Sequence, residues 1–457
     1  MPLLGSLVLI ALITSSFAFS DSSHLSSANS MDSVSSISSE TPLTKLGPIN
    51  NLHDGNFVHW NGRTRYDASI DATWLNFSLS GFSVYFKGTS LDLSIQSTGV
   101  SGAVWTPYIS VVIDQGSPES ASAYSVPSGN KQTLRIASGL SDSYHSASVF
   151  KRSEGGFTAV AIFSVITDGD FYSIPSSNTA AKIEFFGDSI TCGTYLEDTI
   201  STPVFSTAST NPLKTYAYLT KQKLNADIST VSASGFPLFY SSTKSSLFSL
   251  TCVPDLLSMA DFDTTTTLSS FHPWDNSSFL PNAVVVNLGT NDSTYYGQMT
   301  STEEKKTFLS GFKTKYHDFI IALESLYPNA IIICSSGMIT LNSDIDSSID
   351  DVVASFSDKV FRVKFLSQTV GGVMPNNHPN YAQQKYAANQ LCIFLSAKLG
   401  IPYSPDSEPL SNVFFTKVLP IGSFFFLSLI VPGAYVLIPK LKKKKTVTIS
   451  KAEDQKK

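Results

Sequence analysis

The sequence predicts a two-part α/β protein: an all-β sandwich over residues 46–180, then a parallel sheet wrapped by helices over residues 181–402. One membrane-spanning helix is predicted near the C-terminus. Three observations carry this reading. Apolar residues recur with period two in the first part, and strand-like and helix-like runs alternate in the second. Finally, 21 mostly apolar residues at 418–438 precede a run of lysines.

Residues 1–20 read as a secretory signal, with an apolar stretch at 3–13 and small residues around Ser16 and Ala18. Residues 21–45 are dominated by serine and hold too few apolar groups to offset ordering entropy, so they read as a flexible, disordered stalk. From 46 the pattern turns to alternation. Phe82, Val84 and Phe86 fall on one side of a strand, and Leu91, Leu93 and Ile95 on one side of the next. Further strand-like runs lie at 108–113, 133–137, 146–150 and 159–166, divided by Gly, Pro, Asn, Asp and Ser clusters. Short strands with turns at such spacing make a sandwich, here expected as a jelly roll. Trp60, Trp74 and Trp105 are assigned to its core rather than to a sugar-stacking platform.

The second part alternates strands at 183–186, 227–232, 283–288, 330–334 and 360–365 with helices at 213–225, 302–326 and 381–399. Ser301 through Glu304 opens the second helix with a Ser-x-x-Glu capping box. The third sets Ala388, Leu391, Cys392, Leu395 and Leu399 on one face and stops at Gly400. Such alternation implies a parallel sheet covered on both faces, with a crevice at the carboxyl ends of its strands. Residues 403–417 form a linker. The apolar run 418–438 is about the ~20 residues that a bilayer core needs. The lysines at 440 and 442–445 then place the basic tail, 439–457, on the cytoplasmic side. With the signal, this predicts a type I single-pass protein whose body faces the cell exterior or a lumen, the cell surface being the expected site.

Net charge is −5; eight lysines against Glu453 and Asp454 make +6 over residues 440–457, which leaves −11 on the remainder. An acidic body argues against nucleic acid as a partner. Cys192, Cys252, Cys334 and Cys392 all lie in the second half and allow three pairings or free thiols. No clustered His, Cys or Asp spacing suggests a metal, and no cofactor is called for. Asn76 and Asn276 scan as glycosylation acceptors.

The chemistry centres on the run from Ile183 to Thr191, an apolar strand ending in Gly187-Asp188-Ser189. A strand that delivers a serine to the rim of a parallel sheet presents a candidate nucleophile. Its hydroxyl needs a base, and His378, in His378-Pro379-Asn380 just before the last long helix, is the candidate. Attack on an ester creates an oxyanion. The backbone N–H groups of Ser189 and of Gly235, in Ser232-Ala233-Ser234-Gly235, and the side-chain amide of Asn291, in Gly289-Thr290-Asn291-Asp292, supply three candidate donors. Asp188 and Asp292 read as turn-fixing residues.

These four blocks, in this order, resemble those of the SGNH (GDSL-type) hydrolases, whose fold is flavodoxin-like. The pairing with a sandwich resembles the two-domain acetyl-xylan esterases of carbohydrate esterase family two. Asn61-Gly62-Arg63, Phe86 through Leu91, and His145 followed by Lys151 to Glu154 add to the match. The resemblance spans residues 46–400. It implies a deacetylase of plant-type polysaccharides with Ser189 as nucleophile, His378 as base, and Ser189, Gly235 and Asn291 as the oxyanion site. It also suggests that Trp274, in His272-Pro273-Trp274, lines the acceptor cleft. One departure stands out: the acid usual two or three residues before the histidine is replaced by Asn376 and Pro375. The resemblance implies a Ser–His dyad, with the Asn376 amide oxygen or a nearby backbone carbonyl orienting the ring. The expected partner is thus an acetylated polysaccharide or glycan. A lipid or short-chain acyl esterase, and a glycan-binding protein with a decayed site, are the alternatives.

Overall fold

The computed structural model describes residues 43–99, 102–175, 179–199, 204–239, 252–262 and 271–405. Strands Gly81–Gly88 and Leu91–Gly99 turn Phe82, Val84, Phe86, Leu91, Leu93 and Ile95 into one core, as the period of two requires. The long strand Thr158–Tyr172 pairs with Leu91–Gly99 over most of its length and with Gly81–Gly88 at its end. These strands belong to one eleven-stranded sheet, antiparallel at every pairing, whose inward side chains form one core. Gly169 allows the change of partner, because the Lys87 carbonyl occupies the place a Cβ would take.

The second half holds five parallel strands: β1 (Ala181–Gly187), β2 (Ala226–Ser232), β3 (Ala283–Asn287), β4 (Ile331–Ser336) and β5 (Val360–Lys364). Their order is β2-β1-β3-β4-β5. The direction of winding reverses between β1 and β3, and a ligand crevice forms at the carboxyl ends beside such a reversal. Helices Tyr216–Leu224 and Tyr381–Leu399 bury Tyr216, Leu219, Leu391 and Leu395 against Ile183 and Phe185 of β1. On the other face, Thr302–Leu326 and Ser343–Ala354 pack Phe312, Tyr316 and Ile349 with Phe186, Val284 and Ile332.

The halves meet through a buried ion pair. Arg63 of the β domain donates from Nη2 to Glu184 Oε1 of β1 at 2.9 Å, and from Nη1 to the carbonyls of Leu256 and Met259. Both charged side chains are fully buried. All four cysteines are buried and none forms a disulfide bond. Asn76 is a poor sugar acceptor, contrary to expectation: its buried amide is held on both sides by the Phe262 backbone. The amide of Asn276 is likewise engaged, with Ser258 Oγ and the Tyr327 hydroxyl.

Among the described residues no helix is long and apolar enough to cross a membrane. The predicted span at 418–438, the signal at 1–20 and the tail at 439–457 lie outside those residues, as do most of the stalk and linker. The last stalk residue, Lys45, already begins a strand, Lys45–Asn50.

Candidate active site

β1 ends at Gly187, and the chain turns at once into the short helix Ser189–Cys192. Asp188 caps it, its carboxylate accepting from Ile190 N at 3.0 Å. Burial pushes that carboxyl up to about 7. Ser189 stands first in the helix, where a backbone N–H has no intrahelical acceptor.

His378 arrives from a tight hairpin between Val373–Met374 and His378–Pro379. Its turn places Asn376 and Asn377 in the left-handed region, at φ 56 and φ 57. Asparagine enters that region more readily than most side chains. The turn curls the Asn376 carbonyl back to His378 Nδ1 at 3.0 Å, while Nε2 faces Ser189 Oγ at 2.9 Å. The orienting group is thus the backbone carbonyl of Asn376; its amide side chain instead bonds Tyr195. A carbonyl only accepts, so Nδ1 carries the proton and Nε2 is left with its lone pair toward the serine. Gln368 Nε2 anchors the hairpin through the carbonyl and side-chain oxygens of Asn377, at 3.1 and 2.8 Å. Burial lowers the His378 pKa below its ordinary 6.5, against the opposing pull of the Asn376 carbonyl, so the ring is neutral at pH 7.

The other expected donors lie on adjacent loops. Gly235 follows β2 with φ 78, a conformation that favours glycine, and a Cβ there would meet nothing within 4 Å. Asn291 sits in the first turn of the helix Thr290–Gln298 that follows β3. One hydrogen of its Nδ2 goes to the Phe236 carbonyl at 3.0 Å, which fixes the amide and leaves the second hydrogen. Asp292 ties the same loops together by accepting from Leu238 N and Phe239 N, each at 2.9 Å.

Trp274 is placed differently. Its half-buried ring lies 5.8 Å from Arg63 Cζ, against the ion pair that joins the halves, and its buried indole nitrogen has no hydrogen-bond partner among the described residues. Its described ring contact is thus with Arg63 and not with the serine–histidine pair. Tyr195 is a site neighbour that the sequence reading missed: its ring meets His378 edge-on, with centroids 4.9 Å apart. Nothing in the spacing distinguishes it from the chain's other tyrosines. Among the described residues no group of three His, Cys, Asp or Glu side chains could hold a metal ion.

A serine on the turn after β1 and a histidine before the last helix, on a sheet of this order, form the arrangement expected from the resemblance to SGNH-type hydrolases. Residues 183–391 match the family described as GDSL-like Lipase/Acylhydrolase, and residues 60–175 the one described as Carbohydrate esterase 2 N-terminal. The chain therefore has the two-domain architecture of the family-two carbohydrate esterases. It is 28% identical over 333 residues to the cellulase/esterase CelE of Acetivibrio thermocellus, covering 71% of this chain and 37% of that protein. The chain thus spans little more than a third of that relative's length. It is 25% identical over 336 residues to an acetylxylan esterase / glucomannan deacetylase of Cellvibrio japonicus, covering 72% of this chain and 86% of that one. Among solved structures, a family two carbohydrate esterase from Clostridium thermocellum in complex with cellohexaose superposes with TM-score 0.63 and 26% identity. It covers 75% of this chain and 99% of that chain.

Proposed function

We propose that the protein is a carbohydrate O-acetyl esterase working through a Ser189–His378 dyad and an acyl-serine intermediate. The observation that carries this is the relay of Ser189 Oγ, His378 Nε2, His378 Nδ1 and the Asn376 carbonyl, with contacts of 2.9 and 3.0 Å. As Ser189 Oγ attacks the acetyl carbonyl, Nε2 takes its proton. The Asn376 carbonyl dipole supports the imidazolium in place of a carboxylate. Negative charge on the former carbonyl oxygen is met by the N–H groups of Ser189 and Gly235 and by the second hydrogen of the Asn291 amide. Collapse expels the sugar hydroxyl, which takes the proton from Nε2. Water then repeats the sequence and releases acetate.

Acetate release from acetylated xylan and from acetylated glucan tests the reading. Wild type is expected to release it and Ser189→Ala not. Turnover of phospholipid but not of acetylated glycan would replace this reading by a lipid esterase, and glycan binding without any turnover by a lectin. The relatives described as a cellulase/esterase and as an acetylxylan esterase / glucomannan deacetylase support the sugar substrate. The apolar run at 418–438, the lysines after it and the signal at 1–20 support a type I protein at the cell surface. Protease treatment of intact cells, expected to remove the esterase body and spare the lysine-rich tail, checks that topology.

Two further outcomes follow from the site. Asn291→Ala is expected to lower kcat by about 10²–10³, the usual cost of one oxyanion donor, with KM little changed; retention of more than about half the wild-type kcat would remove Asn291 from that role. The base must be neutral to act, and the His378 pKa lies below 6.5. The pH profile of kcat/KM is therefore expected to fall on the acid side as His378 gains its proton, with the midpoint of that limb below 6.5. An acid limb centred above pH 7 would contradict this.

A further inference from the structure

A carboxylate from the β domain reaches into the back of this site. Glu154 lies between strands Ser143–Lys151 and Thr158–Tyr172 and is fully buried. Its Oε1 accepts from Thr194 Oγ1 at 2.6 Å, and its Oε2 from Ser234 N at 3.0 Å. The hydroxyls of Thr194 and Ser234 meet at 2.7 Å, and the Cys192 thiol also bonds the carboxylate. Lys151 stiffens the turn that carries Glu154, donating from Nζ to the carbonyls of Ser153 and Glu154 and to Thr158 Oγ1 at 2.6, 2.8 and 3.0 Å.

The residues that Glu154 grips each adjoin a group the chemistry uses. Thr194 follows the nucleophile's helix, and its N–H closes that turn on the Ser189 carbonyl at 3.1 Å. The next residue is Tyr195, whose ring lies against His378. Ser234 immediately precedes Gly235, so holding Ser234 N sets the peptide that leads into the Gly235 donor. Burial of the acid costs free energy and raises its pKa. The cost is offset only while its donors stay in place. Both oxygens act as acceptors for these two segments, and an apolar side chain of similar size would leave Ser234 N without its acceptor.

We infer that Glu154 is a positioning residue supplied by the β domain, which fixes the Gly235 oxyanion donor and the Ser189 turn relative to each other. The inference rests on the proposed role of Gly235 as such a donor. It makes the β domain part of the reacting unit.

The test uses the full chain with Glu154→Gln, Glu154→Ala and Thr194→Val, assayed on 4-nitrophenyl acetate and acetylated xylan. Glu154→Gln keeps the shape but turns an amide NH₂ toward one of the two donors. It is expected to lower kcat by about 10–10², somewhat less than outright loss of an oxyanion donor, with KM within about twofold. Thr194→Val, which removes one grip, is expected to fall between it and wild type. Combined with Asn291→Ala, the Glu154→Gln loss is expected to shrink, because both act on one oxyanion. If Glu154→Ala does not fold, the Gln and Val variants carry the test. Unchanged kcat in folded Glu154→Gln, or losses that simply multiply with Asn291→Ala, would overturn the inference. Absence of acetate release by wild type would instead overturn the esterase reading on which it stands.

Discussion

Ser189→Ala is expected to reduce kcat by on the order of 10⁶, because a nucleophile and its base act as a unit and loss of either removes the covalent route. Only Oγ is lost, from a half-buried position whose described side-chain partner is His378. Folding stability should therefore change by no more than about 0.5 kcal/mol, the usual range for a substitution away from packing features. His378→Ala should cost about as much, and the double variant little more. Acetate release measured beside a thermal unfolding curve checks both halves. An alanine variant that keeps a hundredth of wild-type turnover would remove Ser189 from the reaction. A serine-directed phosphonate gives the complementary result, an adduct on the Ser189 peptide of wild type and none in the variant.

Arg63→Ala is expected to destabilise the protein by about 3–5 kcal/mol, the cost of leaving a buried charge without its partner. Glu184 would remain fully buried in β1, with Ser229 Oγ at 3.0 Å still donating but the guanidinium gone. The carbonyls of Leu256 and Met259 would lose their donor as well. Replacing both charged residues by apolar ones, Arg63→Met with Glu184→Leu, should recover much of the loss, since paired burial of charge is itself costly. Denaturant titration reads both variants. A single-variant loss below about 1 kcal/mol would show that the pair contributes no more than an exposed ion pair does.

How much of this was legible depends on whether the signal is local. The strands of the β domain were, because a one-residue slip would have turned Phe82, Val84 and Phe86 out of the core. The helices Thr302–Leu326 and Tyr381–Leu399 were, the first through its Ser301 cap and the second through its apolar face and the stop at Gly400. Helices Thr290–Gln298 and Ser343–Ala354 were not picked out. Their Thr, Asn, Asp and Ser residues favour turns over helix interiors, and in the second only packing of Ile345, Ile349 and Val352 reveals the face. At the site, Ser189, His378, Gly235 and Asn291 were marked by turn chemistry around them. The choice between the amide of Asn376 and its carbonyl was not, since it depends on two successive left-handed residues. Glu154 and Tyr195 owe their places to tertiary contacts between segments far apart in the chain. The place of Trp274 beside Arg63 was not legible either, because an aromatic near a motif carries no record of its tertiary partners.

The four buried cysteines, none of them in a disulfide, offer a built-in clock for how the hydrolase half comes apart. Cys192 lies behind the nucleophile, Cys334 in β4 and Cys392 in the last helix, while Cys252 donates to the Phe239 carbonyl at 3.1 Å. Burial pushes the thiols of Cys252 and Cys334 up to about 12, and that of Cys192 well above its ordinary value. An alkylating reagent such as iodoacetamide therefore reacts at neutral pH only with molecules that have opened. The order in which the four peptides acquire label reports which layer of the sheet loosens first.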